Sequence, residues 1–568
     1  MDMLSNQEIF DQIELYADLL ELQGENQFKV RSYHSAIYNL EKIDKNLAEL
    51  TLAELEKLPG VGKAIALKID DARNNGIFHQ LKEQLEKVPP GIVDMLDISG
   101  LGAKKVGILW QELGIEDTDQ LLQACENNQI AAVKGFGEKT QENIKQALLF
   151  KKASSDKLHY ADAEVFVTQL GHFLNAQQLD YEVVGEFRRC LEIVEKIQVI
   201  VKTEQIGKAL NQIDQADFLQ KNTQKSGLFA WRGVFKANQL PLEIILTQPQ
   251  NFVSEVFIHS ASAKHLGFVP NGDGKSFLQI AQNQSFSSES VIYQKYNWAY
   301  IEPEMREGGF ELALAPKNEL PKLLEVKDIR GILHAHSTYS DGKHSLEQMA
   351  LACKDLGYEY LGITDHSKSA FYANGLNEYR IQQQHQEIDL LNQKLAPFKI
   401  FKGIESDILS DGKLDYDDNV LKTFDFIIAS VHSALKMSEE KATDRIIKAI
   451  ENQYTTILGH PTGRLLLRRE GYPLNHAKII EACAANGVVI EINASPWRLD
   501  LDWRWVHYAL EKGVMLSINP DSHETATIQE VKYGVLVGRK GGLTSTMTLN
   551  TKNVNEFEAF LQMRKGKN

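Results

Sequence analysis

From residue 331 onward the chain repeats one pattern seven times. A short apolar run, rich in β-branched residues, gives way to histidine or a carboxylate: GILHAHS, YLGITDHS, KIFKGIESD, FIIASVHS, TILGHP, VVIEINAS and VMLSINPDSH. Helical patterns such as SLEQMALACKDLG, and loops rich in Gly and Asp, separate the runs. Strands that alternate with helices predict a parallel sheet, whose strands all end on the same side. Closing that sheet into a (β/α)7 barrel brings the polar ends to one mouth, where barrel chemistry sits.

The residues at those ends are His334, His336, Asp341, His366, Glu405, His432, His460, Asp521 and His523. In HAH and in DSH the paired residues are two apart, so both face one side of an extended segment. A single strand-end histidine is more often a satisfied core or loop residue. Nine nitrogen and oxygen donors without a thiolate suit a cluster of two or three divalent ions such as Mn²⁺, Zn²⁺ or Fe²⁺.

The motifs HAHSTYSDG, ITDHS, GIESD, SVHS, GHPTGR and NPDSH resemble the polymerase and histidinol phosphatase (PHP) domain. The resemblance implies that all nine residues are ligands of a trinuclear phosphoesterase. Arg464 in GHPTGR is a candidate catalytic partner of a phosphate oxygen, and Lys368 a second; for both, a surface salt bridge is the competing reading.

Upstream, residues 155 to 315 mix helix and strand, with KIQVIV and PLEIILT the clearest strands. Gly185, Arg188 and Arg189 resemble the Gly-Ser-x-Arg-Arg motif of family X DNA polymerases, and YIEPEMREG resembles that family's thumb-end signature. The family supplies three aspartates to hold two divalent ions about 4 Å apart for nucleotidyl transfer. Here Lys196 and Gln198 fill the first two positions and Glu243 the third, while Glu186 replaces the motif serine. An ammonium repels a cation and an amide is a weak ligand, so an inactive polymerase palm is expected, with Arg188 and Arg189 left to hold DNA.

The first 150 residues read as all helical, with three turns of one form: LPGVGKAIALKI, ISGLGAKKVGIL and VKGFGEKTQENI. Each puts Gly-x-Gly before a helix, through Gly60 and Gly62, Gly100 and Gly102, and Gly135 and Gly137. Amides at such helix starts can hold a phosphate. One such turn is weak evidence, and three spaced roughly 40 residues apart are strong. They resemble helix-hairpin-helix elements, which grip the DNA backbone. QFKVRSYHSAIYNLEKI and the first hairpin resemble the lyase domain of family X polymerases, which implies that Lys68 forms a Schiff base with an abasic sugar. That chemistry needs a lowered amine pKa.

A net charge of -15 excludes a general polyanion binder, so any DNA contact is local. No apolar run approaches the roughly 18 residues that span a bilayer, and MDMLSNQEIF carries no signal-peptide pattern. Four scattered cysteines suit a reducing cytoplasm.

The chain as a whole therefore resembles bacterial family X DNA polymerases with a C-terminal PHP domain, a multidomain α+β protein. The expected order is a lyase-like helical domain over 1–80, helix-hairpin-helix over 81–150, a degenerate palm over 155–250, a thumb over 251–318 and the PHP barrel over 326–568. In that family the PHP domain is a manganese-dependent 3'-5' exonuclease, sometimes with abasic-site endonuclease activity. The resemblance implies a monomer acting on gapped, nicked or abasic DNA in base excision repair. Two other readings stay open: a DNA-binding scaffold with structural metals, and a phosphatase acting on a small phosphomonoester.

Overall fold

A computed structural model describes residues 4–40, 43, 46–98, 100–154, 156–270 and 274–565. Ser99, in the second Gly-x-Gly turn, lies outside the described residues. The chain forms two compact units, Met1–Ser155 and Asp156–Asn568.

The first unit is helical. Its first helix, Asn6–Leu22, starts at a capping box in which Ser5 Oγ accepts from Glu8 N at 3.2 Å and Glu8 Oε2 accepts from Ser5 N at 2.7 Å. Ile9, Ile13, Ala17 and Leu20 recur at helical spacing and are buried. Each Gly-x-Gly turn is built alike. Gly60, Gly100 and Gly135 take φ of 77°, 84° and 93°, the left-handed region where a side chain is strained. The next glycine then opens the helices Lys63–Asn75, Ala103–Leu113 and Glu138–Ser154.

In the second unit the short strands β1 (Leu158–His159) and β3 (Ile193–Val194) pair with each other. A five-stranded sheet comprises β2 (Asp180–Val184), β4 (Ile197–Lys202), β5 (Leu219–Lys221), β6 (Ala230–Phe235) and β7 (Pro241–Thr247). Its order is β2-β4-β7-β6-β5, with β4 and β7 parallel and the other pairs antiparallel. Short helices follow, around an aromatic core of Phe257, Phe277, Tyr293 and Trp298.

The rest is the seven-stranded parallel barrel. Its strands are β8 (Gly331–Ile332), β9 (Tyr360–Ile363), β10 (Lys399–Asp407), β11 (Phe426–Ser430), β12 (Ile457–Leu458), β13 (Val489–Asn493) and β14 (Leu516–Asn519). They lie side by side in sequence order. A backbone bond from His336 N to Ser522 O, 2.8 Å, brings the chain beyond β14 back to the chain beyond β8, so the sheet is nearly closed.

The alternation along β10 shows how sequence sets the interior. Phe401, Gly403, Glu405 and Asp407 share its inner face. Phe401 belongs to the aromatic floor with Tyr360, Phe426 and Phe557, while Glu405 and Asp407 reach the mouth. Gly403 has no room for a side chain, since a Cβ there would lie 2.6 Å from Phe426 Cζ. Phe557, on the last helix Val554–Lys565, plugs the floor from outside: its ring stacks 5.3 Å from Tyr360 and meets Phe401 edge-on at 4.8 Å. Phe557→Ala should therefore cost the barrel about 3–5 kcal/mol, read as a lower urea midpoint at unchanged slope. A loss below about 1 kcal/mol would mean that the floor closes without this ring.

Candidate functional site

At the barrel mouth the nine candidate ligands converge. Their donor atoms form three overlapping groups, each within 4.8 Å: His336, Asp341, His366 and His523; His334, His336 and Asp521; and His366, Glu405 and His432. His460 joins through Nε2, 3.0 Å from Glu405 Oε1. Around that carboxylate also stand His334 at 3.4 Å, His366 at 2.9 Å and His432 at 3.2 Å.

Several of these atoms face one another without bonding. His334 Nε2, His336 Nδ1, His366 Nδ1, His460 Nδ1 and Glu405 Oε2 are buried and have no hydrogen-bond partner. His366 Nδ1 and Glu405 Oε2 are 2.9 Å apart and still lack hydrogen-bond geometry. A buried polar atom left unmade costs about 1–3 kcal/mol, so such a collection fits donors aimed at shared cations. The chemistry of the set agrees, since imidazole and carboxylate without thiolate suit first-row divalent ions.

The electrostatics point the same way. Burial opposes charge on His334, but Glu491, Asp521 and Glu405 outweigh it and hold the imidazole well above its usual range. His432 is likewise pushed up to about 10 against burial, by Glu405 and Asp407, and His523 to about 9, by Asp341 and Asp521. His336 goes the other way, to about 3, because burial and the neighbouring His523 and His366 disfavour its charge. Glu405 and Asp521 stay well below the carboxylate range, their histidine neighbours overcoming burial.

Three supporting acids escaped the sequence reading. Glu491 Oε1 lies 2.7 Å from His334 Nδ1, and Asp407 Oδ1 lies 2.6 Å from His432 Nδ1. Contacts of this kind fix an imidazole's orientation and tautomer. Asp365 accepts from Ser337 N at 2.7 Å and Ser340 N at 3.1 Å, which shapes the loop carrying Asp341. The available signal was a lone acid within an otherwise apolar strand, as in VVIEIN, or two residues beyond a ligand, as in GIESD.

Arg464 was expected to pair with a phosphate oxygen. Its guanidinium donates to Asp502 and to the carbonyls of Arg498 and Leu499, so it braces a loop. Arg498, not singled out from the sequence, has its Nε 3.7 Å from Asp521 Oδ2. Lys368 makes a surface salt bridge with Glu378 at 2.8 Å.

In the five-stranded sheet, Gln198 on β4 lies opposite Glu243 on β7. Glu243 accepts from Lys196 Nζ at 3.1 Å, Gln198 Nε2 at 2.8 Å and Arg232 Nε at 2.7 Å. Burial would raise its pKa, but these donors keep it below the usual carboxylate range. The ammonium of Lys196 thus sits against the carboxylate of Glu243, the position that the resemblance aligns with the family's third aspartate. Glu186 folds back to accept from Glu195 N at 2.7 Å. Arg188 and Arg189 were expected to hold DNA. Arg188 binds Glu289 through two bonds, 3.1 and 2.7 Å, and Ser260 at 2.8 Å, while Arg189 binds Glu307 at 2.9 and 2.8 Å. Nearby, a cleft of ≈ 610 Å³ is lined in part by Lys196, Lys221, Lys225 and Arg232.

In the first unit Lys68 is buried under three rings, its Nζ 5.2 Å from the centroid of Tyr16, 5.8 Å from Tyr33 and 5.9 Å from Phe78. Burial lowers its pKa and the charge of Lys29 lowers it further. At the hairpins, Gly62 and Gly102 cap their helices with φ of -83° and -74°, so the backbone itself does not demand glycine. A Cβ at Gly62, Gly102 or Gly137 would meet nothing within 4 Å, so these glycines leave open space over helix-start amides.

Comparison with known proteins agrees with this layout. Residues 4–77 match a helix-hairpin-helix domain, 92–148 a SAM-like helix-hairpin-helix tandem, and 333–495 a PHP domain. The DNA polymerase/3'-5' exonuclease PolX of Bacillus subtilis is 33% identical over 581 aligned positions, covering 98% of this chain and 100% of that protein. The chain belongs to the bacterial PolX family. Probable phosphatases of Thermoanaerobacter and of Acetivibrio thermocellus are 27% and 25% identical over 41% of this chain, and over 95% of their own length. The PolX relationship thus covers both units, and the phosphatase relationship covers about two fifths of the chain.

For this PolX-family barrel the raised histidines give a signed expectation. The carboxylates that push His432 up to about 10 and His523 to about 9 favour the protonated imidazoles at neutral pH, so a cation binding at either ring would displace a proton. Mn²⁺ loading at about pH 7.5 should release at least one proton, and apparent affinity should rise with pH. Calorimetric titration in two buffers of different ionisation enthalpy reads this directly. Identical heats in both buffers would overturn it.

Proposed function

We propose that this chain is a DNA-processing phosphoesterase that shortens strands from their 3' ends through its PHP barrel, on gapped, nicked or abasic DNA, in cytoplasmic base excision repair. The observation that carries the reading is the set of three overlapping donor groups at the barrel mouth, with buried nitrogens and a carboxylate oxygen left without partners. His334, His336, Asp341, His366, Glu405, His432, His460, Asp521 and His523 would hold two or three ions, manganese by preference. Bound there, the ions would polarise a phosphodiester and supply a nucleophile at neutral pH. Glu491 and Asp407 orient two of the imidazoles, and Arg498 takes the phosphate-pairing role first expected of Arg464.

The other parts are read as DNA-binding. The open helix starts at Gly62, Gly102 and Gly137 fit a phosphate backbone, and a depressed Lys68 amine suits Schiff-base chemistry on an abasic sugar. We assign these roles to 1–80 and 81–150, a non-extending palm to 155–250, a thumb to 251–318 and the nuclease to 326–568. DNA is favoured over a small phosphomonoester because the matched hairpin domains have no use in the latter case. A scaffold with purely structural metals is disfavoured, since structural sites are closed and rarely gather so many ligands.

On a labelled gapped duplex with Mn²⁺, the strand should shorten whether or not deoxynucleotides are present. His334→Ala or Asp521→Ala should cut that rate at least about a hundredfold. Extension of the primer would overturn the reading of the palm, and hydrolysis of free phosphomonoesters in preference to DNA would overturn the nuclease. Separately, borohydride should trap the protein on abasic DNA and fail with Lys68→Ala. Equal trapping by the variant would remove the lyase assignment.

A further inference from the structure

The turn after β9 leaves two neighbouring aromatic side chains in solvent. Phe371 is 88% exposed and Tyr372 is 70% exposed, at the start of the 3-10 turn Phe371–Ala373. The backbone under them is firmly held. Ala370 and Ala373 on either side are buried, so the turn is pinned at both ends. Ser369 N donates to Asp415 at 2.6 Å and Ser369 Oγ to Asp407 at 2.9 Å. Beyond the turn, Leu376 N donates to the carbonyl of His366 at 2.8 Å, and the Arg380 guanidinium to the carbonyl of Asn374 at 2.8 Å.

Those anchors belong to the metal cluster's own frame. Asp407 also meets His432, and His366 belongs to two of the three donor groups. The Tyr372 ring centroid lies 6.2 Å from that of His366. The Tyr372 ring therefore stands at the edge of the reaction site on a held backbone, with the exposed Phe371 ring next to it in the chain. Exposed aromatic surface of this kind marks a binding site. The flat apolar part of a nucleic acid is the base, which stacks on aromatic rings without regard to sequence.

We infer that Phe371 and Tyr372 form a stacking platform for the unpaired terminal base of the strand being shortened. The inference rests on the nuclease reading above and deepens it. Bringing a terminal phosphodiester into a buried cluster requires its base to leave the duplex stack, which costs free energy. An aromatic face beside the cluster offsets that loss and holds the end in place.

The test uses the full-length protein and a recessed duplex carrying 5-iodouracil at its 3' terminus. Ultraviolet irradiation with Ca²⁺ in place of Mn²⁺ should cross-link the terminal base to the peptide containing Phe371 and Tyr372. With Mn²⁺, Phe371→Ala/Tyr372→Ala should raise KM for the duplex about tenfold to a hundredfold while kcat at saturation falls much less, and Tyr372→Phe, which keeps the ring, should retain the original KM. Cross-linking confined to other peptides, or a collapse of kcat at unchanged KM, would overturn the inference. If the protein does not shorten DNA at all, the nuclease reading fails, and the cross-link still decides whether this turn holds a base.

Discussion

One buried carboxylate organises the barrel mouth. Glu405 is fully buried, and His334, His336, His366, His432 and His460 each place a ring nitrogen within 3.7 Å of it. A charge taken this far from water survives only among opposite charges and donors, because desolvation otherwise outweighs any attraction. Glu405, Asp521 and Asp341 together supply negative charge that the histidines partly answer by holding protons. Cations would answer it more fully. The floor makes the arrangement possible: Phe401, Tyr360, Phe426 and Phe557 fill the lower interior, so the polar groups are confined to the open end.

The palm meets the same requirement by the opposite route. On its sheet Glu243 is surrounded by Lys196, Gln198 and Arg232 from within the chain. Both oxygens of that carboxylate accept from these side chains. One protein thus contains two carboxylate centres with opposite solutions, one provisioned with partnerless donor atoms and one closed by an internal ammonium. This contrast favours the barrel mouth over Glu243 as a place for cations.

How far the sequence foretold this depends on how local each feature is. The barrel strands were legible because apolar runs alternate with helices, and the ligands because period-two spacing puts HAH and DSH on one face. The closure of Glu243 was legible in part, since strand parity places Gln198 toward it. Long-range partners were not legible. Arg464 looked like a phosphate ligand because GHPTGR ends beside His460, yet Asp502, 38 positions later, captures it. The lowered pKa of Lys68 depends on Tyr16, Tyr33 and Phe78, which come from three other stretches of chain. Phe371 and Tyr372 carried no periodic signal, because their meaning lies in being unburied.

A palm without polymerase ligands still has physical reasons to keep its arginines. Arg189 pairs with Glu307, and the fully buried ammonium of Lys540 from the barrel donates to that same Glu307 at 2.7 Å and to the carbonyls of Arg189 and Glu304 at 2.8 and 3.1 Å. Glu192, three residues beyond Arg189, accepts from Trp503 and Arg504 of the barrel at 3.0 and 2.8 Å. Removing one partner from such a buried network leaves a desolvated charge, which is strongly destabilising. The Gly-x-x-Arg-Arg frame is thus part of the joint between the palm and the barrel. Lys196 and Gln198 bond to Glu243 instead, apart from that joint.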